Sequence, residues 1–312
     1  MSTHSVAGKP RTAVLIPCYN EALTVADVVK DFRAALPEAR IYVYDNNSSD
    51  DTAEVARAAG AIVRTEMRQG KGNVVRRMFS DIDADIYIMV DGDATYDANS
   101  AGRLIEELRT GLYDMVNVAR EAESSASYRS GHAWGNRILT GLVQLMFGTA
   151  TTDMLSGYKA FSRRYVKSFP TMSQGFEIET ELVVHALDLR LPLSEMSAPY
   201  KERPVGSVSK LRTYSDGWRI LRLIGFLVKE ERPLAFFSTA AGVFAIISLA
   251  IGFSVFQEFL ATGLVPRFPS AILAAALMLA ALLSLCCGFI LDTVTRGRRE
   301  IKRLAYLRYP TP

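Results

Sequence analysis

The chain has 312 residues, of which 49% are hydrophobic and 22% are charged, and its mean hydropathy is +0.11. The formal net charge of +3 is small for this length, so charge gives no argument for a nucleic-acid-binding protein. The cysteines Cys18, Cys286 and Cys287 have neither metal-site nor disulfide-framework spacing. This excludes a disulfide-rich secreted domain and predicts a reducing compartment for the soluble part.

Short apolar runs predict five β-strands, at 12–16, 41–44, 61–65, 86–90 and 114–118. Helical patterns lie between them. Residues 25–36 have apolar side chains at helical spacing and stop at Pro37, and residues 52–59 follow the capping residues of "NNSSDD" and stop at Gly60. Apolar strands that alternate with helices predict an α/β domain whose mainly parallel sheet has helices on both faces.

Each predicted strand is followed by residues suited to ligand binding, and open α/β sheets bind ligands beyond the carboxyl ends of their strands. These residues are "PCYNE" (17–21), "DNNSSDDT" (45–52), "RQGKG" (68–72), "DGD" (91–93) and Arg120. Turn chemistry explains any one of them, but their recurrence favours a single ligand site. A dinucleotide site is excluded, because the first strand–helix turn, "PCYNEA", has none of the glycines of G-x-G-x-x-G.

The segment "IYIMVDGDATYD" (86–97) joins a buried strand to two carboxylates. Asp91 and Asp93 on a tight turn at Gly92 suit Mg²⁺ or Mn²⁺, hard ions that also take phosphate oxygens. Because neighbouring carboxylates are costly to bury without a positive partner, the pair predicts a cation beside them. Asp-x-Asp also occurs in ordinary surface turns, and that alternative stays open at this point.

Together, "TAVLIPCYNE", "YDNNSSDDT", "GKGN" and "VDGD" resemble the family 2 glycosyltransferases, which have the GT-A fold, over residues 11–120. The resemblance implies that Asp91 and Asp93 bind the metal that holds the donor diphosphate. It implies donor nucleotide-binding roles for Pro17, Tyr19, Glu21, Asp45, Lys71 and Asp91. The family often has a second aspartate at the position of Asn46, so the identity of the donor nucleobase stays open. It often has a glutamine at the position of Thr95, so it also stays open which residue completes the metal site.

The segments "DMLSGYKAF" (153–161), "QGFEIETEL" (174–182) and "YKERPVGSVSKLR" (200–212) resemble the polyprenyl-phosphate glycosyltransferases, which include the dolichyl-phosphate mannose synthases. This resemblance implies catalytic roles for Asp93 and Asp153. It implies that the acceptor phosphate is bound by Arg120, Arg137, Arg203 and Lys210, and arginine forks suit phosphate. From the residues alone, each arginine is equally an ordinary surface residue, and Asp153 is equally a loop or helix-cap residue.

Two uncharged stretches, 234–257 and 268–291, are each long enough to cross a bilayer. A short link joins them, and "KEER" and "RGRREIKR" flank them, which predicts a hairpin with both ends in the cytoplasm. Two core helices of a soluble protein are the alternative. The predicted organisation is a cytoplasmic GT-A domain at 1–210, a juxtamembrane amphipathic helix at 211–232, a membrane hairpin at 233–295 and a basic cytoplasmic tail at 296–312.

Together with the apolar hairpin, the resemblance implies an integral membrane enzyme that transfers a sugar from a UDP- or GDP-sugar to a polyprenyl phosphate, with a divalent metal and inversion, for glycan assembly. No nucleic-acid partner is expected, and a homo-oligomer is compatible with the sequence. One alternative is a family 2 transferase acting on a sugar or lipid hydroxyl, which needs a general base. The chain lacks the Q-x-x-R-W run of processive synthases. The other is a non-catalytic membrane subunit that binds sugar nucleotides, against which the Asp91/Asp93 pair argues.

Overall fold

The computed structural model describes residues 10–122, 141, 151–172, 175, 177–201, 203–204, 225–226 and 229–310. The strands are β1 Thr12–Cys18, β2 Arg40–Asp45, β3 Ile62–Thr65, β4 Ile86–Met89, β5 Met115–Ala122, β6 Lys159–Ser162 and β7 Leu193–Tyr200. The helices are α1 Val25–Ala35, α2 Thr52–Ala58, α3 Lys71–Asp81, α4 Ala101–Thr110, α5 Arg163–Ser168, α6 Ile178–Asp188, α7 Pro233–Thr262 and α8 Phe268–Leu307. The chain divides into two compact units, one drawn from 1–220 and 302–312 and the other from 221–301.

The first unit is built on a seven-stranded sheet in the order β3-β2-β1-β4-β6-β5-β7. Strand β1 pairs in parallel with β2 and β4, and β2 pairs in parallel with β3. Strand β6 runs antiparallel to β4 and β5, whereas β7 is parallel to β5. All the described strands except β6 therefore run in one direction, and the predicted mainly parallel sheet is confirmed.

The central strands position the ligand-binding edge because their apolar side chains are buried. Val14 and Ile16 of β1 belong to the same core as the apolar stripe of α1, which is formed by Val25, Val28, Val29 and Phe32. Burying an apolar side chain of this size contributes about 1.5–3 kcal/mol. The ends of β1 and β4 are therefore held on a rigid support.

Three features of the sheet differ from the sequence prediction. Strands β6 and β7 are not predicted, because β6 contains the buried Lys159 and β7 contains Glu195 and Pro199. Strand β5 extends beyond the predicted 114–118, since it pairs with β7 as far as Ala122. Arg120 therefore lies within β5 and not after the end of a strand, which corrects its predicted position.

Some predictions fall on residues that the structure does not describe. Arg137 and Lys210, both predicted to bind the acceptor phosphate, lie outside the described residues, as does most of the amphipathic segment 211–232. Their roles stay predictions.

The second unit contains α7 and most of α8, and both helices are long and apolar enough to cross a membrane. Only 11% and 17% of their most apolar windows are buried, unlike the core helices of a soluble protein. Apart from Pro233 at the start of α7, their buried residues recur every seven positions: Ala241, Ser248 and Val255 in α7, and Ala274, Ala281, Gly288 and Thr295 in α8. Mostly small residues at this spacing let two helices pack closely with the geometry of a left-handed coiled coil, and Ser248 Oγ donates to the Ala274 carbonyl at 2.7 Å.

The end of α8 belongs to the first unit, where Tyr306 contacts the fully buried Asp114. The Tyr306 hydroxyl donates to Asp114 Oδ2 at 2.7 Å. The same carboxylate accepts bonds from Ser162 Oγ at 2.6 Å and from Arg164 Nη2 at 2.8 Å. Arg164 also lies 4.7 Å from the centre of the Tyr306 ring. Groups from distant parts of the chain thus satisfy one buried carboxylate.

Candidate active site

The turn after β4 places Asp91 and Asp93 at the carboxyl end of the central strands. Gly92 allows this turn to pack closely against β1, because a Cβ at this position would lie 2.5 Å from the Sγ of Cys18. The hydroxyl of Thr24 donates to the Gly92 carbonyl at 2.6 Å. The turn is therefore fixed to β1 and to the start of α1, and both carboxylates are held at the edge of the sheet.

Each carboxylate of this turn has a protein cation beside it. Lys71 Nζ, at the start of α3, lies 2.5 Å from Asp91 Oδ1 and 2.5 Å from Glu179 Oε1 on α6. Arg203 Nη2 lies 2.6 Å from Asp93 Oδ2. Burial would lower the pKa of Lys71, but the carboxylates of Asp91 and Glu179 outweigh burial and raise it. Lys71 and Arg203 therefore place positive charge beside the acidic turn, whereas the predicted divalent metal stays a prediction.

Thr95 controls the second carboxylate of the turn. Its hydroxyl donates to Asp93 Oδ1 at 2.6 Å, and its amide donates to the same oxygen at 3.3 Å. Burial, followed by the negative charge of Asp91, raises the pKa of Asp93, while Arg203 and Thr95 act in the opposite direction. The Thr95 hydroxyl therefore orients the Asp93 carboxylate.

The loop before β6 approaches Asp91 through a glycine. A Cβ on Gly157 would lie 2.1 Å from Asp91 Oδ2, so a side chain here would displace the carboxylate. The Gly157 amide donates to the Tyr96 hydroxyl at 2.8 Å. The glycine of "SGYK" therefore makes room for the carboxylate, a function that the sequence analysis did not assign to it.

The residues of the first predicted nucleotide motif lie at the end of β1. Pro17 is within the strand, Tyr19 follows it with 36% of its surface exposed, and the carbonyl of Glu21 accepts the amide of Thr24 at 3.1 Å. Tyr19 is therefore exposed just after the carboxyl end of β1.

Asp45 ends β2 and is almost completely buried. Only 6% of the residue is exposed, and its Oδ2 accepts the amide of Ser48 at 3.3 Å. Its Oδ1 is buried and has no hydrogen-bond partner among the described residues. An unsatisfied buried oxygen is costly, so a hydroxyl or N–H of a ligand would stabilise it.

Asn46 fixes the loop that leads to Lys71. Its Nδ2 donates to the carbonyls of Glu66 at 3.0 Å and Arg68 at 2.8 Å, and its Oδ1 accepts the amide of Gly70 at 2.7 Å. An aspartate would lose both donated bonds. The departure from the family pattern at this position therefore has a structural reason.

Arg120 and Asp153 form a two-pronged ion pair. Arg120 Nε lies 2.6 Å from Asp153 Oδ2, and Arg120 Nη2 lies 2.8 Å from Oδ1. Burial would raise the pKa of Asp153, but Arg120 outweighs burial and lowers it. The guanidinium also lies 5.5 Å from the ring centre of Tyr200, a favourable contact for a cation. Asp153 is thus an ionised partner of Arg120.

Three pairs of the predicted site residues are in contact in the structure: Lys71 with Asp91, Arg203 with Asp93, and Arg120 with Asp153. Sequence reasoning missed Glu179, whose carboxylate forms an ion pair with Lys71. The sequence signal that could have found Glu179 is the helical spacing of the apolar residues in "FEIETEL", which predicts that this residue lies on a buried helix face. Why an acid should lie there becomes clear only when Lys71 is placed beside it.

The sheet, with its acidic turn after β4, is that of a glycosyltransferase with the GT-A fold. The model described as Glycosyl transferase family 2 matches residues 13–169, and the chain belongs to this family. It is 34% identical over 249 residues to glycosyltransferase AglJ of Haloferax volcanii, covering 79% of this chain and 80% of that protein.

Two further proteins are similar over about 70% of this chain. A dolichyl-phosphate hexose transferase of Haloferax volcanii is 24% identical over 220 residues, covering 70% of this chain and 95% of that protein. The crystal structure of glucosyl-3-phosphoglycerate synthase from Mycobacterium tuberculosis, in complex with Mn²⁺, uridine-diphosphate-glucose and glycerol 3-phosphate, superposes with a TM-score of 0.58 at 22% identity. It covers 71% of this chain and 80% of that one, and this likeness supports the fold.

Proposed function

We propose that this family 2 glycosyltransferase transfers a sugar from a nucleotide-diphosphate sugar to a polyprenyl phosphate, with inversion at the anomeric carbon. The observation that carries the proposal is the 2.6 Å contact between Arg203 and Asp93. Asp93 is expected on the donor side and Arg203 on the acceptor side. Their contact supports a donor diphosphate and an acceptor phosphate bound next to each other, as direct transfer requires.

The acidic turn suits a divalent metal. Among the described residues no group of three or more histidine, cysteine, aspartate or glutamate side chains is gathered for a metal. The two carboxylates of Asp91 and Asp93 match the one or two that Mg²⁺ takes at phosphate sites, where substrate phosphates and water supply the other ligands. Held there, Mg²⁺ or Mn²⁺ would bind the donor diphosphate and neutralise the leaving group. The solved relative with Mn²⁺ and a UDP-sugar is consistent with this assignment.

On the donor side, the unpartnered Oδ1 of Asp45 would accept a bond from the ribose or the base. Pro17, Tyr19 and Glu21 would line the nucleotide, and Lys71 would meet the diphosphate beside Asp91. The proposed donor is a UDP- or GDP-sugar, and this set of contacts does not select between the two bases.

On the acceptor side, a phosphate monoester is anionic at neutral pH, so no strong base is needed to activate it. Its oxygen attacks the anomeric carbon and forms a new C–O bond, while the bond to the donor diphosphate breaks and the nucleoside diphosphate leaves. Arg120 and Arg203 would orient the phosphate, since guanidinium forks match phosphate oxygens. Asp153 would hold Arg120 in place.

A lipid acceptor calls for a membrane location. The two apolar helices support an integral membrane protein, and the basic residues that flank them favour a cytoplasmic catalytic domain and cytoplasmic termini. The similarity to a dolichyl-phosphate hexose transferase adds support for a lipid phosphate as the acceptor.

One assay tests the proposal. The full chain, purified in detergent, is incubated with Mn²⁺, labelled UDP- and GDP-sugars, and either a polyprenyl phosphate or the matching polyprenol. We expect a labelled lipid only with the phosphate, and no product in chelator. Asp91→Asn and Asp93→Asn should reduce the rate by about a hundredfold or more, while Asp27→Asn, an exposed acid on α1, should keep it.

The other outcomes identify the alternatives. Transfer to the polyprenol would indicate an enzyme that acts on hydroxyls. Binding of nucleotide sugars without transfer to either lipid would indicate a non-catalytic subunit. Full turnover in chelator would refute the metal assignment.

A further inference from the structure

A row of polar side chains crosses the sheet beside the loop that carries Asp153. The strand register sets Lys159 of β6 opposite Asn117 of β5, and Asn117 opposite Glu195 of β7. Lys159 and Asn117 are fully buried. The proposed reaction uses none of these three residues, although burying them is costly unless their polar groups are satisfied.

The carboxylate of Glu195 binds three consecutive residues of the loop 151–153. It accepts bonds from the hydroxyl of Thr151, from the amide of Thr152 at 2.8 Å and its hydroxyl at 2.6 Å, and from the amide of Asp153 at 3.4 Å. Burial would raise the pKa of Glu195, but these bonds outweigh burial and lower it. An ionised carboxylate is the strongest acceptor that the protein can offer to such a loop.

Asn117 connects this carboxylate to the buried side chain of Lys159. Its Nδ2 donates to Glu195 Oε2 at 2.8 Å, to Thr151 Oγ1 at 3.1 Å and to the Asp153 carbonyl at 2.8 Å. Its Oδ1 accepts a bond from Lys159 Nζ. Burial lowers the pKa of Lys159 to about 8, and in either protonation state its Nζ can donate to Asn117 Oδ1. The lysine therefore fixes which way the Asn117 amide points.

We propose that Glu195 is a positioning residue for the acceptor side of the site. By holding the loop 151–153, it sets the place from which Asp153 binds Arg120. Both nitrogens of the Arg120 fork engage Asp153, so a displaced loop redirects the guanidinium that would meet the acceptor phosphate. This inference rests on the proposed function, because it concerns that phosphate.

The test compares Glu195→Ala and Glu195→Gln with Ser194→Ala in the full chain. Ser194 is the adjacent residue of β7, and its hydroxyl donates to Glu107 on α4 at 2.9 Å, so it controls for any change in this strand. Hydrogen exchange of the peptide that covers 151–158 reports the loop directly. Steady-state kinetics then give the KM for polyprenyl phosphate and the KM for the nucleotide sugar separately.

We expect Glu195→Ala to speed amide exchange at Thr152 and Asp153 and to raise the KM for polyprenyl phosphate about tenfold, with the KM for the nucleotide sugar unchanged within about twofold. Glu195→Gln keeps one accepting oxygen and should rescue part of both effects. Ser194→Ala should behave as the wild type.

Unchanged exchange in Glu195→Ala would overturn the inference, as would equal changes in the two KM values, which is the result expected of a purely structural role. If the wild type makes no lipid-linked sugar, the proposed function fails on its own, and the exchange measurement still decides whether Glu195 holds the loop.

Discussion

Lys71 Nζ lies 2.5 Å from a carboxylate oxygen of Glu179, and both side chains are almost completely removed from solvent. Glu179 therefore neutralises a lysine that is also shared with Asp91. Burial, followed by the charge of Asp91 beyond Lys71, raises the pKa of Glu179, and Lys71 opposes that shift. Removing the lysine would leave two carboxylates facing each other.

Lys71→Met should therefore lower the free energy of unfolding by about 3–5 kcal/mol, because the uncompensated charges stay buried. Added Mn²⁺ should raise the thermal midpoint of the variant more than that of the wild type, since a cation on the acidic turn replaces the missing ammonium group. Thermal unfolding in detergent with and without Mn²⁺ measures both effects. Lys30→Met, at an exposed position of α1, is the matched control, and equal midpoints for both variants would contradict the argument.

Thr95→Val removes the hydroxyl that orients Asp93 while nearly conserving the shape of the side chain. We expect the affinity for Mn²⁺ to fall about tenfold, as is typical when a group that orients a metal ligand is removed. Titration followed by the electron paramagnetic resonance of free Mn²⁺ measures the affinity. Thr95→Ser retains the hydroxyl and should bind Mn²⁺ like the wild type, so weak binding by the serine variant would point to a packing effect.

His185 makes stability depend on pH. It is 2% exposed, contacts the rings of Tyr165 and Phe169, and lies 3.2 Å from Ser168 Oγ through its Nε2. Burial, with a smaller effect of Lys302, lowers its pKa from 6.5 to about 3. The unfolded chain therefore takes up a proton between these values that the folded chain does not bind, so this stabilisation is complete above about pH 6.5 and is lost as pH falls.

Between pH 7 and pH 5 the loss should be about 2 kcal/mol. His185→Gln cannot titrate, so its thermal midpoint should fall less over the same interval than that of the wild type. Parallel declines in the two proteins would show that His185 is not the group responsible.

Tyr306→Phe removes the hydroxyl that donates to the buried Asp114. A hydrogen bond to a charged group contributes about 1.5–3 kcal/mol, and the variant should lose stability in that range as measured by thermal unfolding. Tyr309→Phe keeps an aromatic ring 5.4 Å from the Arg163 guanidinium and should unfold like the wild type. A stable Tyr306→Phe protein would mean that Arg164 and Ser162 satisfy Asp114 by themselves.

The predicted strands and helices of the first 120 residues are present, because apolar periodicity and capping residues act locally. Strands β6 and β7 could not be predicted in the same way. In the sequence, Lys159 and Glu195 are charged residues that are expected to interrupt a strand. In the sheet, both hydrogen-bond to Asn117, which lies between them in the strand register. A partner so distant in sequence leaves no periodic signal.

The residues of the candidate site divide in the same way, into those that a local pattern predicts and those that depend on a partner distant in sequence. The pair Asp91 and Asp93 can be found from the sequence, because carboxylates at the end of an apolar run have few structural explanations. Glu179 cannot be found in this way, because it is buried against Lys71, which is 108 positions away. Thr95 departs from the family pattern in the sequence, but its hydrogen bond to Asp93 depends on the shape of the turn.

The contact between Asp114 and Tyr306 joins positions 192 residues apart, and it has a consequence for biosynthesis. The sheet and its nearby helices are translated long before Tyr306 emerges from the ribosome. The nascent catalytic unit therefore passes through a stage in which the Asp114 carboxylate lacks its tyrosine donor, and the unit is completed only after both apolar helices have been made.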